Sequence, residues 1–278
     1  MNQQKRIEIA NDTLHILKAG VYINKQRIIV GTSTALQYAV SHTKLFTPGE
    51  LAELAKNIST KGFDTKYEVV NETTLDAARR MVSEGEIDPL CLNFASAKNP
   101  GGGFLGGALA QEECIARASG LYECLLQAPE YYSYHRNNGT LLYSDHMIYS
   151  PKVPVIKDEE GNLLDKIVCT SVITSAAVNA GAIEQNERES IPQIVPVMKI
   201  RIDKLLSLCA HNQHEVLILG AWGCGVFRNE PEDIAALFEE ALKGKYAGCF
   251  KRIVFAVKTN KDSIIEPFRK RFEKIKPA

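Results

Sequence analysis

From residue 67 onward the chain alternates short apolar runs with amphipathic helical text, and this rhythm constrains the fold more than any other feature. YEVV, PLCLNFASA, IVCTSVIT (167–174), EVLILGA (215–221) and RIVFAVK (252–258) have the apolar, β-branched character of strands buried on both faces. Between the last two, NEPEDIAALFEEALKG carries Pro231 early, acids in its first turn, and Gly244 as its stop. Ile234, Leu237, Phe238, Ala241 and Leu242 share one face of that helix. After YEVV, Asn71 is the expected cap of a helix over TTLDAARRMV. Such repetition predicts an α/β fold, a parallel or mixed sheet flanked by helices.

Residues 1–66 read instead as a mainly helical N-terminal extension. Ile7, Ala10, Leu14 and Leu17 fall on one helical face, and TPGELAELAKNI offers Thr47 as N-cap, Pro48 at N1 and Glu50 at N3. Between them, VYINKQRIIV predicts a short hairpin turning at Asn24-Lys25. The expected division is therefore an extension, 1–66, and an α/β domain, 67–278.

Composition narrows the classes of partner. The 33 Lys+Arg balance 33 Asp+Glu, so there is no basic excess to grip long stretches of phosphate backbone, and direct nucleic-acid binding is not expected. No apolar run approaches the ~18 residues of a membrane helix, and the start lacks a signal-peptide pattern, so no membrane partner and a cytoplasmic location are expected. The seven cysteines form no CxxC pair and read as reduced core residues. Cys209, His211 and His214 cluster at a helix end without a fourth ligand, so no metal is expected.

The most informative segment is NFASAKNPGGGFLGGALAQEECIARASG, residues 93–120. Five of the seven residues from Gly101 to Gly107 are glycine, in a chain with 19. That density is entropically costly, and a steric reason for it is close approach of the backbone to a ligand, with N–H groups turned toward an anion. A surface loop is the plainer alternative, but an apolar strand precedes the run and apolar residues interrupt it. Gly101, Gly103 and Gly106 satisfy GxGxxG, yet the acid some 20 residues on, Glu123, lies in helical text, and Asn99-Pro100 forces an extended approach. Gln111-Glu112-Glu113 follows, opening a helix with Ile115, Ala118, Leu121, Tyr122 and Leu125 on one face. Paired acids at a helix start complement its dipole; beside a glycine loop they also suit glycosidic chemistry, one orienting a sugar hydroxyl and the other donating a proton.

GGG followed by QEE, within NFASAKNPGGGFLGGALAQEE, resembles the signature of the poly(ADP-ribose) glycohydrolases, and the flanks look like the bacterial-type branch. NETTLDAARR, SGLYECL, LLYSDHMIYSPKVPV, AAVNAG and LGAWGCGVFRN extend the likeness over roughly residues 67–260. The resemblance implies a macrodomain-like fold with the catalytic loop at Gly101, Gly102 and Gly103. It implies Glu113 as catalytic acid, Glu112 on the ribose hydroxyls, Gln111 positioning the loop, and Asn99 on the reacting ribose. It also implies a diphosphate cradle at Gly223, Cys224, Gly225, Val226 and Phe227, with Phe227 near that ribose, and places Thr73 and Thr74 near the adenosine. No cofactor is implied.

The activity implied is hydrolysis of the ribose–ribose O-glycosidic bond of poly(ADP-ribose), releasing ADP-ribose from the chain terminus. Residues 93–116 hold one base, Lys98, and residues 217–229 only Arg228, so backbone N–H groups would carry the diphosphate. Cys224, between two glycines, has no histidine nearby in sequence to activate it. The alternatives left open are removal of mono-ADP-ribose from an acceptor and a non-catalytic ADP-ribose reader, with a nicotinamide-dinucleotide oxidoreductase further off. A pure reader has no chemical need for an intact QEE.

Overall fold

The computed structural model describes residues 1–273. In chain order the elements are α1 (Gln3–Ala19), β1 (Val21–Ile23), β2 (Ile29–Gly31), α2 (Ser33–Ser41), β3 (Lys44–Phe46), α3 (Pro48–Leu54), β4 (Lys66–Val70), α4 (Thr74–Ser83) and β5 (Leu90–Phe94). They continue with α5 (Gln111–Ala118), α6 (Leu121–Leu125), α7 (Pro129–Asn137), β6 (Met147–Lys157), β7 (Leu163–Ser175), α8 (Ala180–Asn186) and α9 (Ile194–His211). The last are β8 (Val216–Leu219), α10 (Pro231–Lys243), β9 (Arg252–Ala256) and α11 (Asp262–Phe272).

Among the described residues the main sheet has seven strands in the order β3-β6-β7-β5-β8-β9-β4. β7, β5, β8, β9 and β4 run parallel, while β6 is antiparallel to both its neighbours, so the expected mixed α/β sheet forms. Strand alternation divides the core in two. Leu90, Leu92, Ile173, Leu217, Leu219, Ile253 and Phe255 face α3, α9, α10 and α11, whereas Cys91, Val172, Val216, Ile218, Val254 and Ala256 face α4 to α7. The central strands β5, β8 and β9 thereby lose water on both faces, at roughly 1.5–3 kcal/mol per large apolar side chain. No helix among the described residues is long and apolar enough to cross a membrane.

Several local expectations change. The hairpin forms, but its turn spans residues 24–28, because Asn24 Oδ1 accepts from Gln26 N–H (3.0 Å) and Ile28 N–H (2.9 Å) and closes a longer loop. The cap of α4 is Thr73, whose Oγ1 accepts from Asp76 N–H at 3.1 Å; Asn71 instead pairs with the backbone of Thr259. The helix beginning at Gln111 breaks at Ser119, which is extended and bridges to Val155, and α6 starts afresh after Gly120. Thr47 and Glu50 make the expected reciprocal capping box on α3. Residues 1–66 hold three helices and the hairpin, and through β3 they also supply one edge of the main sheet.

Candidate active site

β5 and β8 are neighbours in the sheet, end on the same edge, and each runs into a glycine-containing loop. Ligands of open α/β sheets bind at such carboxyl ends. A cleft of about 640 Å³ opens there, a volume that encloses a nucleotide-sized ligand. Thr73, Thr74, Gln111, Glu112, Glu113 and the whole stretch Gly223 to Phe227 line it. Asn99 and Gly101 to Gly103 are not in that lining; they form the loop bordering Glu113. Asn99 is exposed, its N–H donating to Ser96 Oγ (3.1 Å) and its carbonyl accepting from Gly102 N–H (3.0 Å).

The two acids of α5 have opposite environments. Glu113 stands on the cleft wall, half-buried, and its Oε1 accepts from Gly103 N–H at 3.0 Å. Gly102 adopts φ +58°, and a Cβ there would collide with Glu113 Oε1 and lie 3.2 Å from Glu112 Oε2. Only glycine fits between the carboxylates at that backbone angle. Glu112 is 2% exposed, its Oε2 accepting from Ser96 N–H at 2.6 Å and its Oε1 from Asn93 Nδ2 at 3.2 Å. Burial pushes the Glu112 carboxyl up to about 8; the donors from Ser96 and Asn93 oppose the rise and the Glu113 charge adds to it.

Gln111, expected to help position the glycine loop, makes its contacts on the strand that leads into that loop. Its Oε1 accepts from Phe94 N–H (2.8 Å), while its Nε2 donates to Leu92 O (2.7 Å) and Thr74 Oγ1 (2.9 Å). The side chain therefore staples the start of α5 to the end of β5 and the start of α4. Thr73 and Thr74 lie at the α4 end of the cleft, which Leu75 and Glu72 share with them.

The second loop is braced from beneath. Asn229 N–H donates to Gly223 O (3.0 Å) and its Nδ2 to Val178 O (2.8 Å), while buried Trp222 donates its indole N–H to Ser175 O (3.2 Å). Among the described residues the N–H groups of Gly223, Gly225, Val226 and Phe227 make no hydrogen bond, so four donors remain on a concave wall for an anion. Val226 is 78% exposed and marks the rim; the Phe227 ring lies 5.9 Å from that of Tyr143. Burial raises the Cys224 thiol well above its ordinary value, which disfavours a thiolate nucleophile.

Sequence reasoning misses Ser96, Trp222 and Lys258, which also line the cleft. Their common signal is position, each lying within three residues after an apolar strand. The lining holds Glu72, Glu112, Glu113 and Glu159 against Lys258, so an anionic ligand must rely on backbone donors. Away from the cleft, Cys209 is buried in the core, and the His214 ring meets Tyr149 Oη (2.9 Å) and Asp88 O (3.2 Å). Among the described residues no group of three or more His, Cys, Asp or Glu is arranged for a metal ion.

Comparison with known proteins identifies relatives of the whole chain. Residues 10–158 match the family model described as microbial-type PARG, catalytic domain. The crystal structure of poly(ADP-ribose) glycohydrolase from Thermomonospora curvata superimposes with a TM-score of 0.92 at 41% identity, covering 97% of this chain and 100% of that one. The same enzyme bound to the inhibitor ADP-HPD gives a TM-score of 0.90 at 41% identity, with 97% and 100% coverage. The Deinococcus radiodurans enzyme in complex with ADP-ribose gives 0.82 at 44% identity, covering 86% of this chain and 97% of that one. No curated protein matches the chain.

Proposed function

The chain belongs to the microbial-type poly(ADP-ribose) glycohydrolase family and is an enzyme that hydrolyses poly(ADP-ribose), and from that premise we propose that Glu113 is its general acid and base. The observation that carries this assignment is the contrast between the paired acids: Glu113 faces the cleft with one oxygen on Gly103 N–H, and Glu112 is sunk behind it.

The terminal ADP-ribose unit enters the cleft with its diphosphate on the amides of Gly223 to Phe227. Its adenosine extends toward Thr73 and Thr74. Glu112 takes the ribose hydroxyls, and Asn99 with Gly101 to Gly103 borders the reacting ribose. Protonated Glu113 gives its proton to the leaving ribose oxygen as the glycosidic C–O bond breaks toward an oxocarbenium ion. The neighbouring diphosphate stabilises that cation. Water then adds to the anomeric carbon and returns a proton to Glu113, restoring the acid. Val226 and Phe227 close the rim over the terminal ribose, so cleavage proceeds from the chain end and releases ADP-ribose.

We assign this machinery to a catalytic unit, 67–278, with 1–66 as its extension, a division supported by the cleft lining, which begins at Glu72. The free thiols of Cys91, Cys114, Cys124, Cys169, Cys209, Cys224 and Cys249 support a cytoplasmic location. Glu113→Gln is expected to lower turnover of end-labelled poly(ADP-ribose) by at least about 10²–10⁴-fold while ADP-ribose still binds. A variant that turns over at the wild-type rate refutes the assignment, and internal fragments among the early products of the wild type refute cleavage from the end.

A further inference from the structure

α1 contributes nothing to the lining of the cleft, yet its first two turns rest on the glycine loop. Gln3 Nε2 donates to Gly106 O at 2.8 Å and Arg6 Nε donates to Gly107 O at 2.6 Å. Gly107 has φ +75°, and a Cβ there would lie 2.7 Å from the Gln3 carbonyl oxygen and 3.0 Å from Ile7 Cγ1. Its backbone is therefore seated directly on the helix. Phe104, on the same turn, is 1% exposed and packs with Ala10 of α1 and Ala116 of α5.

The loop is closed between two restraints. Gly103 O accepts from Gly106 N–H (3.0 Å) and Ala108 N–H (3.1 Å), making a tight ring from 103 to 108. On its inner side Gly103 N–H holds Glu113 Oε1, and on its outer side the Gly106 and Gly107 carbonyls are held by α1. A segment this rich in glycine has much conformational freedom to lose, so outside contacts bear heavily on how long it keeps one shape.

The rest of α1 is fastened independently. Thr13 Oγ1 donates to Arg117 O of α5 at 2.6 Å, and the ammonium of buried Lys157 on β6 donates to Ile9 O (3.1 Å) and Asp12 Oδ2 (2.7 Å). Loss of the Gln3 and Arg6 side chains therefore leaves the helix docked. Gln3 is exposed and Arg6 half-exposed, so their two bonds add little to global stability.

We propose that Gln3 and Arg6 are positioning residues of the reaction, holding the Phe104–Gly107 turn so that Gly103 N–H stays on the Glu113 carboxyl. The inference rests on the reading of Glu113 as the acid. It gives the N-terminal extension an indirect part in catalysis although no residue of α1 lines the cleft.

The test uses the full chain with Gln3→Ala, Arg6→Ala, the double substitution and Arg6→Lys, with Glu113→Gln alongside. The double variant is expected to lose about ten- to a hundredfold in kcat on poly(ADP-ribose), with KM changing far less. Amide hydrogen exchange should quicken in peptides covering 99–110 and not elsewhere, and Tm should move by no more than about 2 °C. Arg6→Lys, with one donor for the same carbonyl, should recover most of the kcat lost in Arg6→Ala. Unchanged kcat in the double variant, or a loss accompanied by faster exchange throughout the chain, overturns the proposal while leaving Glu113 in place. Normal turnover by Glu113→Gln overturns both.

Discussion

Glu112 and Glu113 are adjacent in sequence and differ in everything else. Neighbours on an α-helix point about 100° apart, so when α5 packs against the sheet one acid must turn inward and the other can face the cleft. The inward acid carries a stability signature. Its folded-state value, raised to about 8 from the ordinary 4.5, means that the native protein holds this proton more tightly than the unfolded chain does. The associated stability is present below about pH 4.5 and is lost as pH rises toward 8. Glu112→Gln removes that dependence. Its Tm minus that of the wild type should therefore climb between pH 5 and pH 8 and level off above, by an amount corresponding to a few kcal/mol. A difference that stays flat across this range rules out a buried, proton-holding Glu112. The sequence announces the pair and the glycines beside it; which carboxyl is buried depends on Asn93 and Ser96, whose contacts arise only once β5 is in the sheet.

At the scale of elements, the site depends on how α5 is attached to β5. Gln111 accepts from Phe94 N–H and reaches Leu92 O and Thr74 Oγ1. Gln111→Ala leaves those groups without their partner, and should cost about 1–3 kcal/mol in urea unfolding and raise KM through drift of the α5 start. An unchanged urea midpoint counts against the staple. Elements with a single periodicity and clear caps, such as α3, α10, β8 and β9, were legible from the residues alone. β6 was not, because Pro151 and Pro154 interrupt its text; the sheet accepts Pro151 at a register shift between Ser150 and Val153, and Pro154 lies opposite Cys169 of β7 just beyond it. The break between α5 and α6 was hidden for the opposite reason. Ile115, Ala118, Leu121 and Leu125 keep helical spacing across Ser119, and only the tertiary pairing of Ser119 with Val155 pulls the chain straight.

For the whole molecule, zero net charge and an acidic cleft lining have one testable outcome. Backbone amides that hold one diphosphate displace few counterions from a long polymer. The slope of log(kcat/KM) against log[salt] on poly(ADP-ribose) should be no steeper than about −2. A slope near −6 would mean that many phosphates are gripped at once. The α/β class could be read from alternation, but strand order could not, since pairing partners lie far apart in sequence; β3, from the N-terminal region, closes one edge of the sheet for that reason.

Strand order also fixes where the two walls of the pocket are joined. β5 and β8 are joined rung to rung at Leu90–Leu217 and Cys91–Ile218, about 4.8 Å apart, and their pairing stops there, short of the strand ends at Phe94 and Leu219 from which the two loops leave. The sheet thus works as a caliper whose jaws are the loops and whose fixed hinge is the Cys91–Ile218 rung. Side chains on either jaw can change the grip or the chemistry without altering the hinge.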